Sequence, residues 1–231
     1  MDPFRRVRGG IASRLDVHER LFLARPFSDV ASLLGHGEPP GETEGAGTAP
    51  GDAGTDGRGA AGTEPAPPTG DDAVLAALDF VPTDAGPAGD RPPTDPALAR
   101  LLPAMSEDES IAGELRELTE APLRAEKIQR LTAVVEELDT PTGPDGAFLV
   151  RDGEEADVLR AVNDVRLVLA TRLGLGDTLS DEELYARAEA AGSGATDGPD
   201  AVLEAMAILY TSLTWWQESL INALHTRPRS N

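Results

Sequence analysis

The stretch at residues 201–225 reads AVLEAMAILYTSLTWWQESLINALH, and it decides the fold class. Apolar side chains recur at Val202, Met206, Leu209, Leu213, Trp216, Leu220 and Leu224, in steps of three and four, the period of one helical face. Leu203, Ile208 and Trp215 lie off that stripe, so the helix is apolar nearly all round. A helix of that kind has to be enclosed by others. The expectation is a helical bundle with this segment at its centre and Trp215 and Trp216, the two tryptophans of the chain, as core anchors.

Working outward, Glu154 to Leu173 repeats the pattern through Val158, Val162, Val165, Leu169 and Leu173, and Gly174 stops it as a C-cap. Ser180 with Glu183 reads as a capping box for a short helix to about Ala190. Asp95-Pro96 opens a helix with proline at its first position and Leu98, Leu101, Leu102 and Met105 following. Ser106 with Glu109 begins another through Leu118, and Thr119 a third to about Leu138 with Pro122 in its first turn.

At the N-terminus, Phe4–Arg8 and Ile11–Leu15 flank Gly9-Gly10, a hairpin with a two-residue turn. Ala147 to Val150 is a short strand that could join it. Asp16 with Glu19 starts a helix in which Pro26 predicts a kink or a break. The fold class that follows is mostly α, a helical bundle with a small N-terminal β-hairpin element and a long disordered insertion.

The insertion rests on composition. Between Gly35 and Pro96 lie 13 of the 24 glycines and 11 of the 19 prolines, with twelve acids against two arginines. Such a segment buries too little apolar surface to fold. The organisation expected is therefore residues 1–34 (hairpin and first helix) as part of the folded domain, residues 35–94 as an acidic linker, and residues 95–231 as the main helical domain. Asp72 to Phe80 (DAVLAALDF) is the one apolar cluster inside the linker.

The net charge of −21 is unevenly spread. Residues 1–34 carry six arginines against four acids, whereas residues 97–231 carry twelve basic side chains against twenty-five acidic ones. Nucleic acid repels so acidic a body, so direct DNA binding without a helper is disfavoured. The chain has no cysteine, which removes disulfides, thiolate metal sites and thiol redox chemistry. No run approaches the roughly 20 apolar residues of a membrane span, and MDPFRRVRGG is not followed by the apolar region of a secretory signal. The expected address is the cytoplasm.

No catalytic motif is present. His18, His36 and His225 have no metal-ligand spacing. Gly174-Leu175-Gly176 follows a helix rather than a strand, so it does not read as a phosphate loop. The acid clusters at 107–109 and 181–183 fall in helix first turns, where they oppose the macrodipole. No catalytic residue, metal or cofactor is therefore expected.

Two groups remain as candidate sites. Asn163, Asp164, Arg166 and Arg172 punctuate one apolar helix, and Gln217 and Glu218 follow the tryptophans on another. They read either as a pocket for a small ligand or as a polar crossing in which Arg166 or Arg172 pairs with Glu218 or Asp164, and the crossing is favoured. The second group, Arg5, Arg6, Arg8 and Arg14, puts Arg6 and Arg8 on one strand face as a basic patch, which reads either as a surface for a partner (an acidic protein, or a phosphate backbone if another protein delivers it) or as charge balanced internally by the chain's own acids.

The runs NDVRLVLATRLGL (163–175), LTWWQESLINAL (213–224), DPALARLLPAM (95–105) and ELRELTEAPLRAEKIQRL (114–131), with FRRVRGGIASRLDVHERLFL at the start, resemble an actinobacterial family of domain-of-unknown-function proteins. This is the AosR-like oxidative stress transcriptional regulator family, encoded near the Clp protease adaptor. The resemblance implies a helical regulatory protein that works with RNA polymerase and a sigma factor. Lacking cysteine, this chain has no residue onto which a thiol switch could be carried. The alternatives are a small-molecule-binding helical domain and a Clp-protease-associated adaptor.

Overall fold

The computed structural model describes residues 1–35, 93–106, 108–176, 179–191 and 199–226. Most of the acidic linker, with His36 and Asp72 to Phe80, lies outside the described residues, as does the tail from 227 onward.

The expected hairpin is Arg5–Val7 (β1) against Gly10–Ser13 (β2), with Val7 opposite Gly10. Its corner is Arg8-Gly9 rather than Gly9-Gly10, because Gly10 is already part of the ladder. A Cβ on Gly10 would stand 2.1 Å from the Val150 carbonyl oxygen, so a third strand leaves room there for glycine alone. Gly9, at φ 86°, then supplies the left-handed turn conformation. The third strand is the segment expected to join the hairpin, Phe148–Arg151 (β3). It pairs antiparallel with β2, giving the order β1-β2-β3.

Six α-helices follow among the described residues. Val17–Gly35 (α1) starts at the Asp16 capping box: Asp16 Oδ1 accepts the N–H groups of His18 and Glu19, and Glu19 Oε2 accepts that of Asp16. The helix runs through Pro26 instead of breaking there, its buried stripe of Leu23, Phe27, Val30 and Leu34 holding it to the core. Pro96–Leu101 (α2) is capped by Asp95, which accepts from Ala97 and Leu98. It stops sooner than its leucines suggested, and Met105 is exposed.

Glu109–Asp139 (α3) is one helix of 31 residues where two were expected. Pro122 removes the amide that would bond the Leu118 carbonyl, but both residues lie on the exposed side. The freed carbonyl can be satisfied by water, so the helix survives. Glu155–Leu173 (α4) ends at Gly174 in the left-handed conformation, as expected. Asp181–Ala191 (α5) has its capping box, Ser180 and Glu183 bonding reciprocally. Pro199–His225 (α6) contains the stretch that decides the fold class.

The centre of the bundle is α4, which touches α1, α2, α3, α6 and β3. It buries two adjoining faces, Val158, Val162, Val165 and Leu169 on one side and Ala161 and Val168 on the other. The sequence pointed instead to α6, which is flanked by α4, α5 and the first two strands. Its predicted stripe is buried through Met206, Leu209, Leu213, Trp216 and Leu220. Trp216 is fully enclosed, with ring centroids 4.9 Å from Phe4 and 5.0 Å from Phe148, so one aromatic cluster joins α6 to both edges of the sheet. Trp215 is not a core anchor. It is 42% exposed, because a helix at the rim of the bundle buries one face and turns the next residue, 100° round, outward.

Candidate functional site

Hydrogen bonding in an antiparallel sheet alternates, and the two outer strands here treat their outward-facing groups differently. On β3, the outward N–H groups are those of Leu149 and Arg151. Leu149 donates to Glu137 Oε1 at 3.0 Å and Arg151 to Glu154 Oε2 at 3.4 Å, so side-chain carboxylates close that edge. On β1, the register leaves Phe4 and Arg6 facing outward. The Phe4 N–H is taken by Ser219 Oγ of α6 at 3.3 Å. Arg6 is the next outward residue, and no described residue bonds its backbone.

The four arginines divide at this edge. Arg5, Arg6 and Arg8 are exposed and make no side-chain hydrogen bond or ion pair with any described residue. Arg14 is engaged, donating to Asp145 Oδ2 at 2.5 Å. Arg8 sits in the turn, so it does not share a strand face with Arg6 as the alternation suggested; Arg6 lies beside Ile11 and Arg5 beside Ala12. The patch is real in charge but wraps a strand end rather than covering one face.

Of the polar residues singled out on α4 and α6, Arg166 and Gln217 meet, and the others go separate ways. Arg166 bonds Thr214, Gln217 and Tyr210 of α6 at 3.1, 2.6 and 3.2 Å. Its guanidinium carbon lies 5.1 Å from the Tyr210 ring centroid. Arg172 pairs with Asp95, the cap of α2, at 2.6 Å. Asp164 pairs with Lys127 of α3, also at 2.6 Å. The expected pairing of Arg166 or Arg172 with Glu218 or Asp164 is therefore replaced by ties to three different helices. The reason is that α4 is central, so its polar positions face three neighbours at once. Asn163 and Glu218 are exposed.

Two clefts lie elsewhere. A groove of about 550 Å³ runs between α3, β3 and the start of α4, lined by Val134, Leu149 and Val158 together with Arg130, Glu137 and Arg151. Glu137 accepts from the amides of Thr142 and Leu149 and from the Thr142 hydroxyl, and so locks the loop that feeds β3. Nothing in the sequence signalled this groove, whose walls are brought together only by the sheet closing on α3. A smaller pocket, about 280 Å³, is bounded by Pro3, Phe4, Trp215, Glu218, Ser219 and Asn222. Among the described residues no three His, Asp or Glu side chains are placed to hold a metal ion. His18 and His225 are exposed at helix ends.

The family model of the domain of unknown function DUF2017 matches residues 1–224, and the chain belongs to that family. No curated protein and no solved structure matches it.

Proposed function

For this member of the DUF2017 family, we propose a regulatory interaction protein of the AosR-like kind: a cytoplasmic stress-response regulator of transcription that acts through a protein partner, such as a sigma factor or RNA polymerase, without a cysteine switch and without catalysis of its own. One observation carries this reading. Three arginines, Arg5, Arg6 and Arg8, which pair with no acid among the described residues, stand along the outer strand β1 of a molecule whose net charge is −21. A basic patch on an acidic body orients the molecule toward an acidic protein surface, while the body's overall charge disfavours nucleic acid. No described helix is long and apolar enough to cross a membrane.

Affinity capture from native lysate tests this, with the wild-type chain beside the Arg5→Glu/Arg6→Glu/Arg8→Glu variant. Recovery of RNA polymerase or a sigma factor by the wild type, lost in the variant, is the expected result. An identical set of captured proteins from both would remove the arginine surface from the account.

The 550 Å³ groove favours a second reading, a small-molecule-binding domain. A thermal-shift screen would support it through a compound that stabilises the wild type but not Leu149→Trp, whose larger side chain would occupy part of the groove.

A further inference from the structure

We propose that the outer edge of β1 is a docking site for an extended, acidic peptide segment of a partner protein, which adds to the sheet as a fourth strand. The inference rests on the reading of the arginine edge given above and specifies its chemistry. It is carried by three independent features.

The first is backbone geometry. The sheet is closed on the β3 side by Glu137 and Glu154, whereas on the β1 side Arg6 keeps its outward N–H and C=O without a partner among the described residues. An open edge is a template for another strand, and main-chain bonding to it is a recurrent mode of peptide recognition.

The second is charge. Positive side chains on an edge oppose pairing with a second copy of the same edge, since an antiparallel β1–β1 contact would bring arginines together. The same side chains attract an incoming strand that carries acids. The edge therefore discriminates against itself and in favour of an acidic segment.

The third is an adjoining pocket. Ser219, which takes the Phe4 N–H, also lines the 280 Å³ pocket beside the strand, with Phe4 and the exposed Trp215. A strand leaving Arg6 toward Phe4 meets α6 there. The indole face, one helical turn before Ser219, offers an apolar seat for a residue flanking the acids. Glu218 on the rim sets a limit by disfavouring acid at that end, so the acids of the bound segment lie toward Arg6 and Arg8.

The test uses the full chain and a fluorescein-labelled ten-residue peptide of alternating aspartate and valine ending in leucine. Its partner probe is the same peptide N-methylated at every backbone amide, which keeps its charge but removes the donors. The expected result is saturable binding that weakens at least tenfold on N-methylation. It should weaken similarly in Arg6→Pro, which removes the outward N–H, and less in Arg6→Gln, which removes only the charge. Equal binding of the two peptides, equal binding by Arg6→Pro and Arg6→Gln, or no saturable binding would overturn the proposal. If native capture still depended on the arginines in any of those cases, the regulator reading would stand and only the strand pairing would fall.

Discussion

The indole N–H of Trp216 donates to the Ser13 hydroxyl at 3.1 Å, joining α6 to β2 across 203 residues of sequence. Ser13 in turn donates to the Asp2 carbonyl at 2.6 Å, so its one proton and one of its lone pairs are both used in a buried position. Removing the hydroxyl leaves the indole N–H and the Asp2 carbonyl without partners. Ser13→Ala should cost about 1–3 kcal/mol. Trp216→Ala also empties the aromatic cluster and should cost about 3–5 kcal/mol. Trp215→Ala, at an exposed position, should stay within about 0.5 kcal/mol. Urea unfolding followed by circular dichroism checks all three, and a Trp215 variant as damaging as the Trp216 one would contradict the assignment of the core.

Lys127 and Asp164 form an ion pair at 2.6 Å with side chains 12% and 4% exposed, and Asp164 Oδ2 has no partner among the described residues. The pair is already incompletely satisfied, so its worth lies in neutralising a buried carboxylate. Lys127→Met should destabilise by about 3–5 kcal/mol, whereas Lys127→Met with Asp164→Leu should recover most of that loss. Equal destabilisation of the single and double variants, measured in the same unfolding assay, would show that geometry rather than charge governs the crossing.

Gly10 separates the hairpin from β3 by the width of a missing methyl group. Gly10→Ala would place carbon 2.1 Å from the Val150 oxygen, where backbone has to move. A loss of at least ~2 kcal/mol is expected. Gly9→Ala meets no atom within 4 Å and bears only the strain of its φ of 86°, so it should lose less, about 1 kcal/mol. The order of the two thermal midpoints decides the point.

Two helix caps give the fold an acid limb. The Glu19 backbone N–H, with that of His18, holds the Asp16 carboxyl below its ordinary range. The backbone N–H and then the hydroxyl of Ser180 do the same for Glu183. A carboxyl whose folded value is depressed contributes stability that is present above its unfolded value, about pH 4, and is lost as pH falls through the lower folded value. Asp16→Asn with Glu183→Gln should therefore lower the thermal midpoint at pH 7, where the contribution is present, and flatten its fall below about pH 4, where variant and wild type converge. An unaltered acid limb would mean that other carboxylates dominate it.

Helix positions were legible because periodicity and caps are local. The stripe from Met206 to Leu220, the Asp16, Asp95 and Ser180 caps and the Gly174 stop all depend on residues within a few positions of each other. The candidate sites were harder to read. Arg166 and Arg172 stood out as charges on an apolar helix, yet their partners Gln217 and Asp95 are 51 and 77 residues away, and no spacing rule connects them. Pro26 suggested a break that is absent, and the helix start read at Thr119, with Pro122 in its first turn, falls inside one continuous helix. Pro26 and Pro122 each cost a helical hydrogen bond, but their helices are held by packing along other faces, a stabilisation invisible to local propensity.

The sequence by itself determined the helical class, the N-terminal hairpin and the acidity of the body, since these follow from periodicity, turn chemistry and charge counts. Only the tertiary structure decided that α4 rather than α6 is central, that Trp215 faces outward, and that one sheet edge is closed by carboxylates while on the other Arg6 has no backbone partner among the described residues. Those outcomes depend on which faces meet. Burial and edge pairing are relations between distant segments, and a period of 3.6 or 2 residues specifies that a face exists without specifying what covers it.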